Sequence, residues 1–251
     1  MKLENDMGEK IFSSLLDVYI SPEIERRQEI GTLSNTFSLE RAQIIFYPDE
    51  HPPVVLLNEE LKGIEAIIKI KEGVNKKPGE PIFENEIEGI QKITLKEPYT
   101  NCAHVTIIKL NNLWNIIFNF TYNKDKAKKH IEIAKQFWTL AKVAYKNELW
   151  NAFYDNLFSA VELSMKAFFL LFPDKAFYKD THNGLSTSVN RFANLGNIQI
   201  SHKSTFNKLS GRRNQARYLQ GGDLKIDVDE ARNYLKTVDE MIEDCSLRVN
   251  S

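Results

Sequence analysis

The first half of the chain alternates apolar and polar residues in the short runs typical of β-strands. Residues 9–19 come first and repeat apolar side chains at helical spacing, which predicts a helix. Runs rich in β-branched residues then predict strands at 37–47, 53–57, 64–71 and 90–97. Two further runs within 103–122 flank Asn111-Asn112. Asn tolerates the positive φ of a type I′ turn, so this segment predicts a two-residue hairpin.

The period of the pattern changes at Asn123-Lys124 from strand-like to helical. Apolar stripes predict helices over 124–145, 148–172, 184–195 and 204–219, and a fifth beginning at Asp227. Pro173, Gly196 and Gly221-Gly222 are expected to end three of them. Short connections between helices favour a bundle. The predicted fold class is α+β, with a mostly antiparallel β domain over 1–123 and a helical domain of about five helices over 124–251.

Charge is distributed unevenly between these halves. Residues 124–251 carry 20 Lys and Arg against 15 Asp and Glu, a balance of +5, which leaves 13 against 19, or −6, for residues 1–123. A polyanion is therefore expected to meet the helical half, although this excess of positive charge is modest.

Several classes of protein are disfavoured by what the sequence lacks. The longest apolar run, residues 167–172, is too short to cross a bilayer, and the N-terminus has no apolar segment typical of a secretory signal. Cys102 and Cys245 are far apart and are expected to be reduced thiols in a cytoplasmic protein. No metal-ligand spacing and no phosphate-binding glycine loop is found, so neither a metal nor another cofactor is expected.

The most informative segment is LSGRRNQARY, residues 209–218, considered together with THNGL at 181–185. Three arginines lie within six positions, between two helical runs. Arginine is always charged, and its planar fork of donors suits phosphate. The segment therefore predicts a polar helix end that faces an anion. The alternative is a solvated helix end without a ligand.

The helical half resembles a HEPN domain (higher eukaryotes and prokaryotes nucleotide-binding), and the resemblance covers about residues 124–245. That family has a long antiparallel helix pair, a short third helix after a His-containing turn, and a fourth helix carrying an arginine motif. Residues 134–171 are similar to the pair, 181–196 to the start of the third helix, and 209–220 to the arginine motif.

The resemblance implies a specific chemistry and also a departure from it. Active members are metal-independent ribonucleases whose motif is an arginine, a polar residue and, four to six residues later, a histidine that serves as acid or base. Here Arg213-Asn214 match the first two positions, but Tyr218, Leu219 and Gln220 follow at the expected distance. A tyrosine titrates near pH 10 and is a poor base at neutral pH. The sequence is thus similar to non-catalytic members, which bind nucleic acid or nucleotides or mediate assembly.

Arg213, Asn214 and Tyr218 are the principal candidates for nucleic-acid or nucleotide binding. For Arg213 the alternative is a helix-to-helix ion pair, for example with Glu162. Tyr218 is expected to share a helix face with Arg213 and Asn214, and its alternative is a half-buried tyrosine with a bonded hydroxyl.

Three further candidates accompany them. Arg212 and Arg217 are expected to face solvent or a dimer partner. His182 precedes Asn183-Gly184 and is either part of the site or a turn histidine. His182 and His202 are the histidines nearest to the motif that could replace the missing base in space.

Three hypotheses follow for function. The first is a non-catalytic HEPN-domain protein that dimerises through its helical domain and binds RNA or a nucleotide. The second is a metal-independent ribonuclease, of a toxin or phage-defence type, with a displaced acid or base residue. The third is a pure protein-interaction module, with an unidentified protein partner for the β domain. The dimer is expected because residues 148–172 carry more apolar side chains than one face of a bundle needs.

Overall fold

The chain divides into two units, Met1–Phe120 and Thr121–Ser251. The computed structural model describes residues 3–62, 65–95, 99–110, 112–173, 182–218 and 224–250.

The first unit begins with helices and continues as antiparallel strands. Helix α1 (Leu3–Leu15), a π-helical turn (Leu16–Ile20) and α2 (Ser21–Glu29) follow one another without a break. The strands are β1 (Arg41–Phe46), β2 (Val54–Leu57), β3 (Glu65–Ile70), β4 (Ile87–Thr94), β5 (Ala103–Leu110) and β6 (Leu113–Asn119). Single 3₁₀ turns occupy Asn58–Glu60 and Glu84–Glu86. One sheet has the order β2-β1-β5-β6, and β3 pairs with β4 in a second, two-stranded sheet.

The strand register places the core of this unit on both faces of the larger sheet. β1 pairs with β5 so that Ile44 lies opposite Val105, and both are buried together with Leu15 and Ile20 of the helical segment. The β5–β6 pairing sets Leu110 opposite Leu113, and Asn112 has a φ of 62°, as the predicted tight turn requires. Asn111 lies outside the described residues.

The sequence prediction for this unit differs from the structure at the start. The helix expected over 9–19 continues through Pro22, because proline is tolerated in the first turn of a helix, where its missing N–H would have no partner. The first predicted strand, 37–47, is shortened to Arg41–Phe46.

The second unit is a bundle of five helices in the described residues. They are α3 (Lys124–Lys146), α4 (Trp150–Leu170), α5 (His182–Asn194), α6 (Ile200–Tyr218) and α7 (Val228–Asn250). The tight turn between α3 and α4 contains Glu148 at a φ of 56° and is closed by the Leu149 N–H donating to the Ala144 carbonyl at 2.9 Å. The predicted α+β fold class, with antiparallel sheets followed by a helical bundle, is confirmed. The glycines expected to end the fourth helix, Gly221-Gly222, lie outside the described residues.

Buried alanines bring α3 against α4. Ala127, Ala134 and Ala141 recur every seven residues of α3 and have no exposed surface, and Ala160 and Ala167 are likewise buried on α4. A side chain of one methyl group lets two helix backbones approach closely and pack without voids.

Helix α4 is the centre of the bundle and contacts α3, α5, α6 and α7. Twelve of its residues are buried, among them Phe153, Leu157 and Phe158. The apolar excess on residues 148–172 is therefore buried in the core of the same bundle. The sequence-based reason for expecting a dimer is wrong. Exposed apolar side chains lie instead along α3, at Ile133, Leu140 and Val143.

We expect Leu157→Ala to lower the free energy of unfolding by about 2–5 kcal/mol, because it removes a fully buried side chain from α4 and leaves a cavity. The measurement is urea denaturation followed by far-UV circular dichroism.

Leu247→Ala is the matched control, since Leu247 on α7 is 71% exposed. Its effect should stay within about 0.5 kcal/mol. Equal losses in the two variants would contradict the central position of α4.

Candidate functional site

Helix α6 carries the arginine motif, and all of its charged residues are basic. It has five basic residues and no acidic residue: Lys203, Lys208, Arg212, Arg213 and Arg217. Their carboxylate partners come from α4 and α7, so the ion pairs of the motif join α6 to its neighbours.

Arg213 points inward, toward α4. Its Nε donates to Asp155 Oδ1 at 3.3 Å, its guanidinium lies 5.2 Å from the centre of the Phe158 ring, and only 14% of its side chain is exposed. The helix-to-helix pair that the sequence suggested is therefore made with Asp155, whereas Glu162 pairs with Lys166 at 2.9 Å. Asp155 and Glu162 are the two carboxylates of α4, and the sequence alone did not show which of them meets Arg213.

Arg217 approaches the same carboxylate from one helical turn further on. Its Nε lies 3.7 Å from Asp155 Oδ1, and about half of its side chain is exposed. Residues four apart share a helix face, which explains why Arg213 and Arg217 meet one partner. Asp155 therefore contacts two guanidinium groups of the motif through the same oxygen.

Arg212 turns the other way and pairs with α7, so the expectation that it faces solvent or a dimer partner is wrong. Its Nη2 donates to Glu230 Oε2 at 2.9 Å, and its Nη1 donates to the Lys225 carbonyl at 3.0 Å. Successive residues of an α-helix are rotated by about 100° about its axis. Arg212 and Arg213 therefore contact different neighbouring helices.

Glu230 is held by several donors at once. The Tyr234 hydroxyl donates to Glu230 Oε1 at 2.6 Å, and Lys208 Nζ lies 3.7 Å from the same oxygen. The hydrogen bond from Tyr234, aided by Arg212, lowers the pKa of the Glu230 carboxyl against the opposing effect of burial. Burial and the bond to Glu230 raise the pKa of Tyr234. The cluster therefore stays as an ion pair with a protonated phenol at neutral pH.

A second tyrosine lies beneath this cluster. Tyr154 of α4 is fully buried, with the Arg212 guanidinium 5.7 Å from its ring centre. Within the described residues its hydroxyl finds no hydrogen-bond partner. Burial raises the pKa of this phenol, so it remains neutral.

Asn214 and Tyr218 are exposed, and they share a face with each other but not with Arg213. Residues five apart on an α-helix are about 140° apart, so the expectation that Tyr218 lies beside Arg213 is wrong. Tyr218 is 57% exposed, which also contradicts the half-buried alternative. Asn214 borders an open groove of about 610 Å³ between α6 and α7, lined also by Lys208, Gly211, Arg212, Gln215, Glu230 and Tyr234.

The two candidate histidines are placed differently. His182 is the first residue of α5, and its side chain lies outside the described residues. His202 is buried near the start of α6, eleven residues from Arg213. At 1.5 Å per residue that separation is about 16 Å along the helix axis. His202 therefore cannot act as acid or base on a group held by Arg213 of the same chain.

His202 lies in its own surroundings at the opposite end of α6. It lines a cavity of about 160 Å³ together with Phe168, Asp244 and Arg248. Its Nδ1 is 3.9 Å from Asp244 Oδ2, and its buried Nε2 has no hydrogen-bond partner among the described residues. Burial lowers the pKa of this imidazole, so the neutral form is favoured.

The order of these helices and the arginine-bearing fourth helix define a helical bundle of a known class. A family model described as "HEPN domain" matches residues 127–248. The C-terminal half of this chain is therefore a HEPN domain, as the sequence predicted. No curated protein matches the chain.

Three further features complete the description of the residues that could act in a site or an anchor. Among the described residues, no group of three or more His, Cys, Asp and Glu side chains is arranged to hold a metal ion. Within the same ranges, no helix combines the length and the apolar character needed to cross a membrane. Cys102 and Cys245 are both buried free thiols.

We expect the protein to lose stability as the pH falls below about 6.5, the ordinary pKa of histidine in an unfolded chain. The pKa of His202 is lowered in the folded state, so between the two pKa values the unfolded chain binds more protons, and acidification favours unfolding. Melting temperatures measured from pH 7.5 to about pH 5 should fall for the wild type and fall less for His202→Gln.

His130→Gln is the control, because His130 Nδ1 donates to a backbone carbonyl, that of Lys126 at 2.8 Å, rather than to a carboxylate. It should retain the wild-type pH dependence. An unchanged slope in His202→Gln would show that acid sensitivity arises elsewhere.

Proposed function

We propose that this HEPN-domain protein binds RNA or a nucleotide through the C-terminal half of α6 without cleaving it. The observation that carries the proposal is the clustering of guanidinium groups at one helix end. Arg213 and Arg217 together meet one carboxylate, and Asn214 and Tyr218 project from the same segment into solvent. This arrangement supports binding of a phosphate by the arginines, while Asn214 and Tyr218 offer an amide and a phenol group on a different face of α6.

Binding without cleavage is expected because a proton-exchanging group is needed for the reaction. Phosphodiester hydrolysis of this family's kind needs a group that exchanges a proton near neutral pH. Arginine remains charged, Tyr218 stands where the family motif has histidine, and His202 is too distant. These facts favour a binding role over the ribonuclease alternative.

We further propose that two copies pair through α3. HEPN domains commonly dimerise. The exposed side chains of Ile133, Leu140 and Val143 form an apolar stripe on one face of α3. Burial of such a stripe in a two-fold interface removes apolar surface from water on both copies.

The binding proposal predicts that Arg213→Ala weakens RNA binding by about 1–3 kcal/mol, the usual loss for a charge-assisted contact. Tyr218→Phe should cost less, because only one hydroxyl is removed. Fluorescence anisotropy with a labelled single-stranded RNA is the measurement. Affinity should fall with rising salt, since phosphate contacts release counterions.

Arg232→Ala is the matched control, because it removes an equal charge from an exposed position on α7. Binding that is absent at low salt would favour the protein-interaction alternative. Specific RNA cleavage in EDTA that disappears in Arg213→Ala would establish the ribonuclease instead.

The dimer proposal predicts a species of twice the chain mass, 58 kDa from 29.0 kDa per chain, in light scattering after size exclusion. Leu140→Glu should convert it to a monomer, because a carboxylate would be buried in an apolar interface. Leu247→Glu, at an exposed position of α7, should leave the dimer intact. A wild-type monomer at micromolar concentration would contradict the proposal.

A further inference from the structure

One oxygen atom of Asp155 lies between two arginines of the motif. Oδ1 is 3.3 Å from Arg213 Nε and 3.7 Å from Arg217 Nε. A single oxygen shared by two guanidinium groups is also how a phosphate oxygen is held by paired arginines. The carboxylate thus occupies the position in which an anionic ligand would be bound.

The distances distinguish this contact from the other arginine pairs of the molecule. Arg212 meets Glu230 at 2.9 Å, and Arg27 meets Glu23 at 2.6 Å, within the range of strong charge-assisted hydrogen bonds. Both contacts of Asp155 are longer than that range.

Exposure makes the site reachable from solvent. About a third of the Asp155 side chain and about half of the Arg217 side chain are exposed, while Arg213 is held against Phe158. Arg213 is therefore fixed in position, and Asp155 and Arg217 lie at the open side. A ligand in solvent can therefore contact the exposed parts of Arg217 and Asp155 directly.

We propose that Asp155 is an internal competitor for the ligand of the α6 site, and that this ligand is recognised through a phosphate group. On binding, a phosphate oxygen replaces Asp155 Oδ1 between Arg213 and Arg217, and the released carboxylate turns toward water. The inference rests on the proposed function and specifies it, because the arginines then contact phosphate rather than a base edge. Asp155 sets the affinity, since any ligand must displace it.

The test compares wild-type protein with Asp155→Asn, which keeps the size of the side chain and removes its charge. Affinity for a labelled single-stranded RNA should rise about fivefold, corresponding to about 1 kcal/mol for a partly exposed ion pair. Asp155→Glu, which keeps the charge, should bind no more tightly than wild type. Glu162→Gln removes a carboxylate from the same helix two turns away and should leave the affinity unchanged.

A double variant separates competition from a general change in surface charge. If Asp155 acts on Arg213, the gain from Asp155→Asn should disappear when Arg213→Ala is also present. Competition with ATP and with inorganic phosphate distinguishes the sources of the phosphate. A gain for inorganic phosphate indicates that one phosphate group suffices, a gain for ATP but not for inorganic phosphate indicates a nucleotide, and a gain for RNA alone indicates a polynucleotide backbone.

The outcomes for the two proposals differ. If Arg213→Ala weakens RNA binding but Asp155→Asn leaves it unchanged or weaker, Asp155 serves only to join α4 to α6 and the inference is overturned. If neither variant alters binding, the proposed function of this site fails as well. Thermal melting of each variant establishes that it is folded, and Asp155→Ser repeats the test if Asp155→Asn is not.

Discussion

Burial of α4 is the constraint on which the helical unit depends. This helix contacts four others, and it supplies eleven buried residues to the shared core, more than any other helix of the described bundle. A helix so enclosed has few positions left for charge, and Asp155 is one of them. Asp155 lies near the start of α4, and α6 packs against this part of α4. The carboxylate is thereby brought to Arg213. The site is therefore a consequence of how the core packs.

The ion pairs at the end of α6 are arranged asymmetrically. Toward α7, Glu230 receives a phenol and an arginine at short distances, and its charge is well compensated. Toward α4, a single carboxylate serves two arginines at longer distances. The two sides of α6 therefore differ in the distances of their ion pairs. On the α7 side, the short contacts of Glu230 are those of a structural ion pair.

Periodicity was sufficient for the fold and insufficient for the site. The change from strand-like to helical spacing near Asn123 identified both halves, and the helices of the second unit begin within about four residues of the predicted positions, an uncertainty usual for element ends. The order of motifs identified the HEPN domain. Pairing partners did not follow, because they depend on how far each helix is rotated about its axis. Spacing placed Tyr218 beside Arg213, whereas the helical repeat sets them on different sides. The contact of Glu230 with Arg212 likewise depends on how α7 packs against α6.

The consecutive arginines of α6 have a mechanical consequence. Arg212 is tied to a helix on one side and Arg213 to a helix on the other. A rotation of α6 about its own axis that shortened one of these contacts would lengthen the other. The two ion pairs therefore act together to fix the rotation of α6 about its own axis. If one of the two ion pairs were lost, only the other would oppose rotation of α6. A change of charge at one of these carboxylates would then favour a small rotation of the helix within the bundle.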